Sequence, residues 1–410
     1  MSELTQASLS GRKRLVIATI LGSLSALGPL SIDMYLPAFP ELAEEMGASP
    51  SLIQLSLTAC LVGIAIGQLV IGPISDVKGR RKPLLIGMLV YAIVSALCIW
   101  SGSIWSFIVL RFLQGFAGAA GLVISRASVR DLYSGPELIR FMATLMIING
   151  AAPILAPVIG AEIITLTSWK GVFAGLTLFG IIMVIGIYFV LGETLPTERR
   201  SRGGLGQTLR TFGLLLKDRS FIGYVMTQGF MMAAMFAYIS GSSFVLQGIY
   251  ELTTRQYSLV FGMNGLGIVL LGQVAGRMAH RVKGSSMLMA GLIYSVIGAI
   301  ILISTILLDG PLPLVIIGLF AVVSSVGLVG TTANSLALEE QGSRAGSASA
   351  MLGMSSFLFG GIVAPLVGLG GEDTAVPMAS IMIVMVLGAL TSYLAIHKSN
   401  NRNYNNHFTA

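Results

Sequence analysis

Long apolar runs alternate with short polar breaks along the whole chain. Each run reaches about 20 residues, the length a helix needs to cross the hydrocarbon core of a bilayer. The pattern predicts spans at 15–39, 51–71, 84–102, 104–127, 141–166 and 171–192. Six more follow at 221–246, 257–278, 286–308, 312–334, 346–369 and 376–396. The fold class expected is therefore all-α, a polytopic membrane protein of twelve transmembrane helices. The first run is too long for a signal-peptide core, and Asp33 and Pro37 stand where cleavage would be sought, so it reads as an uncleaved span.

The breaks carry as much information as the runs. Residues 72–83 separate two spans by so little chain that they form a tight hairpin. Residues 193–220 make the longest polar stretch and hold Arg199, Arg200, Arg202, Arg210, Lys217 and Arg219. Within it, 205–216 predicts a short helix lying in the membrane interface. The expected organisation is a six-helix half over 1–192, a cytoplasmic linker over 193–220, a second six-helix half over 221–396, and a polar tail over 397–410. That tail is Asn-rich and is expected to be unstructured.

Composition agrees with the pattern. The 410 residues are 54% hydrophobic and only 10% charged, against roughly 25% charged in soluble domains. The net charge of +7 could mark a nucleic-acid partner, but the positions of the cations exclude that reading. Of the 25 Lys and Arg residues, 22 fall on one set of alternate loops, the helix ends that border them and the termini. Only Lys170 and Arg255 fall on the other set, which places the basic loops and both termini in the cytoplasm. Cys60 and Cys98 both lie inside apolar runs, so neither a disulfide nor a metal site is expected. His280, His397 and His407 lie in loops or the tail. No cofactor is implied.

An internal repeat relates the two halves. Ala156-Pro157-Val158-Ile159-Gly160 recurs as Ala364-Pro365-Leu366-Val367-Gly368, and the 72–83 hairpin recurs in altered form at 276–284. The two offsets nearly agree, which points to duplication into pseudo-symmetric halves. In the second copy His280 replaces Asp76 and the Arg-Arg pair is gone.

Charge inside the hydrocarbon is expensive and by default functional. Asp33 and Arg111 are the clear cases. At ~1.5 Å per residue both sit roughly 9 Å below the outer surface. A mutual ion pair at that depth is one expectation; two residues reaching separately to water is the other. On the seventh run Tyr224, Gln228, Met231, Met235, Tyr238 and Ser242 recur at helical spacing. Their soft and amphipathic side chains predict part of a loosely selective lining, against ordinary helix packing. Pro153 and Pro157 should kink the fifth span.

Four motifs carry a family resemblance. The hairpin reads Gly72, Asp76, Gly79, Arg80, Arg81 and Lys82 in the order G-x-x-x-D-x-x-G-R-R-K, and resembles the signature loop of major facilitator superfamily transporters. Arg111, Gln114 and Gly115 stand in a string similar to the fourth-span motif of proton-coupled members. Pro153, Pro157 and Gly160 stand in a fifth-span string resembling the antiporter motif, which usually ends in two glycines where this chain has Gly160-Ala161. Leu30 to Ala38 resembles the first span of the bicyclomycin-resistance (Bcr/CflA) branch of drug exporters. The resemblance implies a proton-coupled, monomeric multidrug exporter of the bacterial cytoplasmic membrane, moving small amphipathic compounds of the chloramphenicol or bicyclomycin kind. Asp33 and Arg111 would couple protons, the 72–83 hairpin would act as a conformational gate, and Asp33, Gln114, Tyr224, Gln228, Met231, Met235 and Tyr238 would touch cargo. The rival within the same fold is a proton symporter importing a nutrient. An intramembrane enzyme is excluded, since the spans hold neither paired acids nor a nucleophile with its base.

Overall fold

The computed structural model describes residues 11–200, 204–339, 341–371 and 373–408. The leader residues 1–10 and Arg202 of the linker lie outside the described residues. The remainder is almost wholly helical, because a backbone inside lipid must satisfy its own polar groups. Among the described residues eleven helices are long and apolar enough to cross a membrane, or twelve if the bent pair Leu15–Ser25 and Leu27–Met46, at 41°, is one span.

The chain divides into two compact units. The first comprises Met1–Leu42 and Ala59–Thr208, the second Ala43–Thr58 and Leu209–Ala410. The first holds α1 (Gly11–Ser25), α2 (Leu27–Asp33), α5 (Arg81–Ile99), α6 (Ile104–Leu132), α7 (Gly135–Leu166) and α8 (Trp169–Phe189). It shares α3 (Phe39–Met46), α4 (Pro50–Lys78) and α9 (Gly204–Leu215) with the second. The second holds α10 (Arg219–Ser243), α11 (Thr254–Met278), α12 (Gly284–Leu307), α13 (Leu312–Glu339), α14 (Ala345–Val367) and α15 (Val376–Phe408).

Several boundaries differ from the apolar pattern, each for a local reason. The first span is not one helix: it breaks after Ser25, ends α2 at Asp33, and passes through a 3-10 turn at Leu36–Ala38, where Pro37 has no N–H to donate. The loop expected after it is the short helix α3. Helix α4 runs through Pro73 to Lys78, so the hairpin predicted over 72–83 shrinks to Gly79 and Arg80. The tail expected to be unstructured continues α15 to Phe408, an extension that costs little once a helix is nucleated. Helix α10 passes into a π-helical turn at Phe244–Ile249, a geometry frequent at functional sites.

Helix starts follow capping chemistry. Ser103 accepts the Ser106 N–H at 3.2 Å to open α6. Thr253 and Gln256 form a reciprocal capping box on α11. Asp218 caps α10 through the Phe221 N–H at 3.1 Å and also accepts from Gln341 Nε2 at 2.8 Å.

Within each unit, glycine lets helices meet at backbone distance. A methyl on Gly115 of α6 would collide with the carbonyl oxygen of Cys60 on α4. In the second unit Gly327 of α13 meets the carbonyl oxygen of Ile268 on α11 in the same way. Such contacts stand in for the hydrophobic driving force that helices lack in lipid.

Candidate functional site

Arg111 is the centre of the first unit's polar core. It is fully buried on α6, and its guanidinium is divided among three neighbours. Nη2 donates to the carbonyl oxygen of Ser31 at 2.8 Å. Nη1 donates to Gln114 Oε1, one turn further along α6. The guanidinium carbon lies 4.2 Å from the centre of the Tyr35 ring. Ser31 belongs to the last turn of α2, whose carbonyls have no intrahelical partner. A cation there also meets the negative end of the helix dipole. Arg111 thus closes the end of α2 ahead of the 3-10 turn at Leu36–Ala38.

The network continues onto α5. Gln114 Nε2 donates to Ser95 Oγ at 2.7 Å, and Ser95 donates to the carbonyl of Tyr91 at 2.7 Å. The Tyr91 hydroxyl meets Ser31 Oγ at 2.7 Å. Around this core Tyr35, Phe39, Phe107, Trp169 and Phe173 pack edge to face, which keeps water and lipid from the guanidinium.

Asp33 is 4% exposed, yet its Oδ1 has no hydrogen-bond partner. Among the described residues no ion pair joins it to Arg111. The expected mutual pair is therefore not formed. The physical reason is that Gln114 and Ser31 already engage both Nη groups and Tyr35 covers the face of the guanidinium, leaving only Nε without a partner. Beside Asp33, Gly160 of α7 abuts the carbonyl oxygen of Met34, so α7 packs directly on the end of α2. Pro153 and Pro157 both lie inside α7.

A second polar cluster sits at the hairpin. Arg80 donates through Nη1 to Asp76 Oδ1 and to Ser75 Oγ at 2.7 Å, and through Nε to Asp131 Oδ2 at 2.9 Å. Burial works against the charge on Arg80, but Asp131 and Asp76 outweigh it and hold the group above the ordinary arginine value. Glu193 then caps α5, accepting the Arg80 N–H at 2.7 Å and the Arg81 N–H at 3.3 Å. Gly79, at φ 90°, makes the turn. A side chain there would strike Glu193 and Arg200. Arg81 donates to the carbonyl of Tyr188 at 2.6 Å. Gly72 lies within α4, with open packing beside Val123.

The seventh-span stripe is buried but not gathered on one surface. Gln228 donates to Ser356 Oγ on α14 at 3.2 Å. Met231 faces Ser295 on α12, Sδ to Oγ 3.9 Å. Tyr238 accepts from Asn264 Nδ2 on α11 at 2.9 Å and stacks on Phe261 at 5.3 Å. Ser242 meets the Tyr257 hydroxyl at 3.3 Å. Tyr224 and Met235 are half-buried.

Sequence reasoning missed Ser31, Tyr91, Ser95, Asp131, Glu193 and Asn264. Single hydroxyls in apolar helices give no pattern. Glu193 looked like the first residue of a linker, and only its position beside a positive-φ turn could have marked it.

The two clusters draw on the first-span, fourth-span and hairpin strings, and a family model described as Major Facilitator Superfamily matches residues 12–365. The chain belongs to the major facilitator superfamily. It is a multi-pass membrane transporter and not an enzyme. Among its relatives is YdgK of Bacillus subtilis, described as an uncharacterized MFS-type transporter, 47% identical over 94% of this chain and 96% of the relative. A bicyclomycin resistance protein homolog of Haemophilus influenzae is 33% identical over 93% and 96% respectively. The multidrug transporter MdfA of Edwardsiella piscicida is 29% identical over 65% and 66%. Among solved structures, a bacterial homolog of the human lysosomal transporter Spinster superposes with a TM-score of 0.72 over 95% of this chain and 98% of that one, at 13% identity. That likeness shows the superfamily fold.

Proposed function

We propose that this transporter exports small amphipathic compounds across the bacterial cytoplasmic membrane, driven by protons moving inward through Asp33. The observation that carries the reading is the Asp33 carboxyl, buried in a membrane helix with one oxygen unpartnered. An ionised carboxylate in such a setting is costly unless paired, so this arrangement suits a neutral, protonated Asp33. Arg111 holds the carbonyl of Ser31, two residues before Asp33, and so keeps the end of α2 in place and sets where the carboxyl sits. The relatives named for bicyclomycin resistance and multidrug transport support the cargo class. The basic loops support cytoplasmic termini, and each chain carries both units, which supports action as a monomer. Residues 1–192 and 221–396 serve as the moving halves, with the hairpin cluster as a gate.

The test is flux in proteoliposomes of known orientation with an imposed pH gradient and labelled chloramphenicol. Proton flow into the cytoplasmic side should drive drug the other way, and Asp33→Asn should lose the pH-driven component. Drug moving with the protons would instead favour the symporter. Gradient-driven accumulation that survives in Asp33→Asn would remove Asp33 from the coupling scheme.

A further inference from the structure

The second unit holds a recognition group that the scheme above does not use. Asn264 of α11 is completely buried. Its Nδ2 donates to the Tyr238 hydroxyl at 2.9 Å, while its Oδ1 has no partner. Reversing the amide would not repair this, since the other end would then be left bare. A buried polar atom without a partner is costly, and native structures carry few of them. On the neighbouring helix Gln228 is 93% buried by the same measure, its exposure being 7%, and its Oε1 is also unpartnered.

Position and surroundings give the orphan acceptor a meaning. Asn264 lies ten residues along α11 from Thr254, ~15 Å at the usual helical rise. That is about half of a hydrocarbon core ~30 Å thick, the level at which transporters of this architecture bind cargo. Beside it the Tyr238 and Phe261 rings stack at 5.3 Å and 24°, an aromatic wall for an apolar body. The buried charged residues Asp33, Arg80 and Arg111 all belong to the first unit, and among the described residues the second unit buries none.

The geometry points to a cargo subsite built on Asn264, which accepts a hydrogen bond from a hydroxyl or N–H of a neutral, aromatic-bodied compound lying against Tyr238 and Phe261. This rests on the export reading and narrows it. The first unit supplies the titrating acid. The second selects neutral donors, and a lipophilic cation without N–H or O–H gains nothing from Asn264.

The test measures binding to the purified full-length transporter in lipid nanodiscs with two probes. Chloramphenicol is neutral and carries hydroxyl and amide donors; tetraphenylphosphonium is aromatic, cationic and carries none. Asn264→Leu should weaken chloramphenicol binding roughly 3- to 10-fold, the worth of one buried hydrogen bond. Tetraphenylphosphonium binding should stay within about 2-fold, and Asn264→Asp, which keeps an acceptor, should retain chloramphenicol. The ratio of the two affinities is read on the folded fraction, so a merely destabilised variant does not mimic the result. Where Asn264→Leu does not accumulate, Asn264→Ala carries the same comparison. Equal loss of both probes, or loss of neither, overturns the subsite. Wild type that binds only tetraphenylphosphonium overturns the donor preference. Wild type that binds only chloramphenicol still decides the matter through the Leu and Asp variants. Wild type that binds neither probe overturns the export reading and the subsite together, whereas loss of coupling in Asp33→Asn with an unmoved ratio in Asn264→Leu leaves the export reading standing alone.

Discussion

Gly160 packs its bare α-carbon against the carbonyl oxygen of Met34, with no room for a methyl between them. The contact joins α7 to the residue after Asp33, where the first span has just stopped being helical. Any atom added at 160 must push the backbone around Asp33. Gly160→Ala should therefore destabilise the protein by about 1–3 kcal/mol, as overpacking does. It should also reduce transport more than the stability loss explains. Gly276→Ala, with nothing within 4 Å of the new methyl, is the control and should be near neutral. Thermal unfolding in detergent and transport in proteoliposomes check both.

Arg111→Lys keeps the charge and loses the fork. An ammonium cannot hold Ser31 and Gln114 at once while lying flat on Tyr35. Transport should fall about 10-fold or more, with the residual activity no better than that of Gln114→Ala. A silent Arg111→Lys would mean that charge alone is needed there. Initial rates at saturating drug, compared at matched amounts of folded protein, decide it.

Removing Arg80 leaves Asp131, only 16% exposed, without its cation. Full burial would make such a loss worth about 3–5 kcal/mol. Solvent at Asp76, 48% exposed, reduces it, so Arg80→Ala should cost about 1–3 kcal/mol. Glu193→Gln should cost less, since the amide oxygen still accepts the Arg80 N–H and only the longer contact with the Arg81 N–H is lost. Melting temperatures of the purified variants give the ranking, and a Glu193→Gln as damaging as Arg80→Ala would refute it.

Asp76→Ala should slow turnover while leaving chloramphenicol affinity within about 2-fold, because the Asp76 carboxylate is engaged with Arg80 of the hairpin and acts on the equilibrium between conformers. Binding and flux measured on one preparation separate the two effects. A large affinity loss at normal turnover would show that the hairpin had been misjudged.

The number of spans was legible because bilayer thickness imposes one length on every apolar run. Asp33 and Arg111 were legible because charge in an apolar run is rare. Their relationship was not. The strongest acceptor of Arg111 outside its own helix is a backbone carbonyl, that of Ser31, and carbonyls have no letter in a sequence. The bend of the first span was hidden for a related reason: an apolar run reads the same whether its helix continues or breaks. Asn264 was passed over because one amide among the glycines of α11 forms no periodic pattern.

The same invisibility of the backbone bears on how the two copies could drift apart. At Gly115 and Cys60, and again at Gly327 and Ile268, one partner contributes only a carbonyl oxygen. No substitution can delete a carbonyl, so a thiol stands at one of these positions and a branched hydrocarbon at the other without disturbing the fit. The whole hereditary burden of each contact falls on the glycine. A duplicated bundle can thus rewrite one side of its tightest joints freely, gaining an arginine core in one copy and a neutral amide in the other, while each glycine keeps its backbone contact.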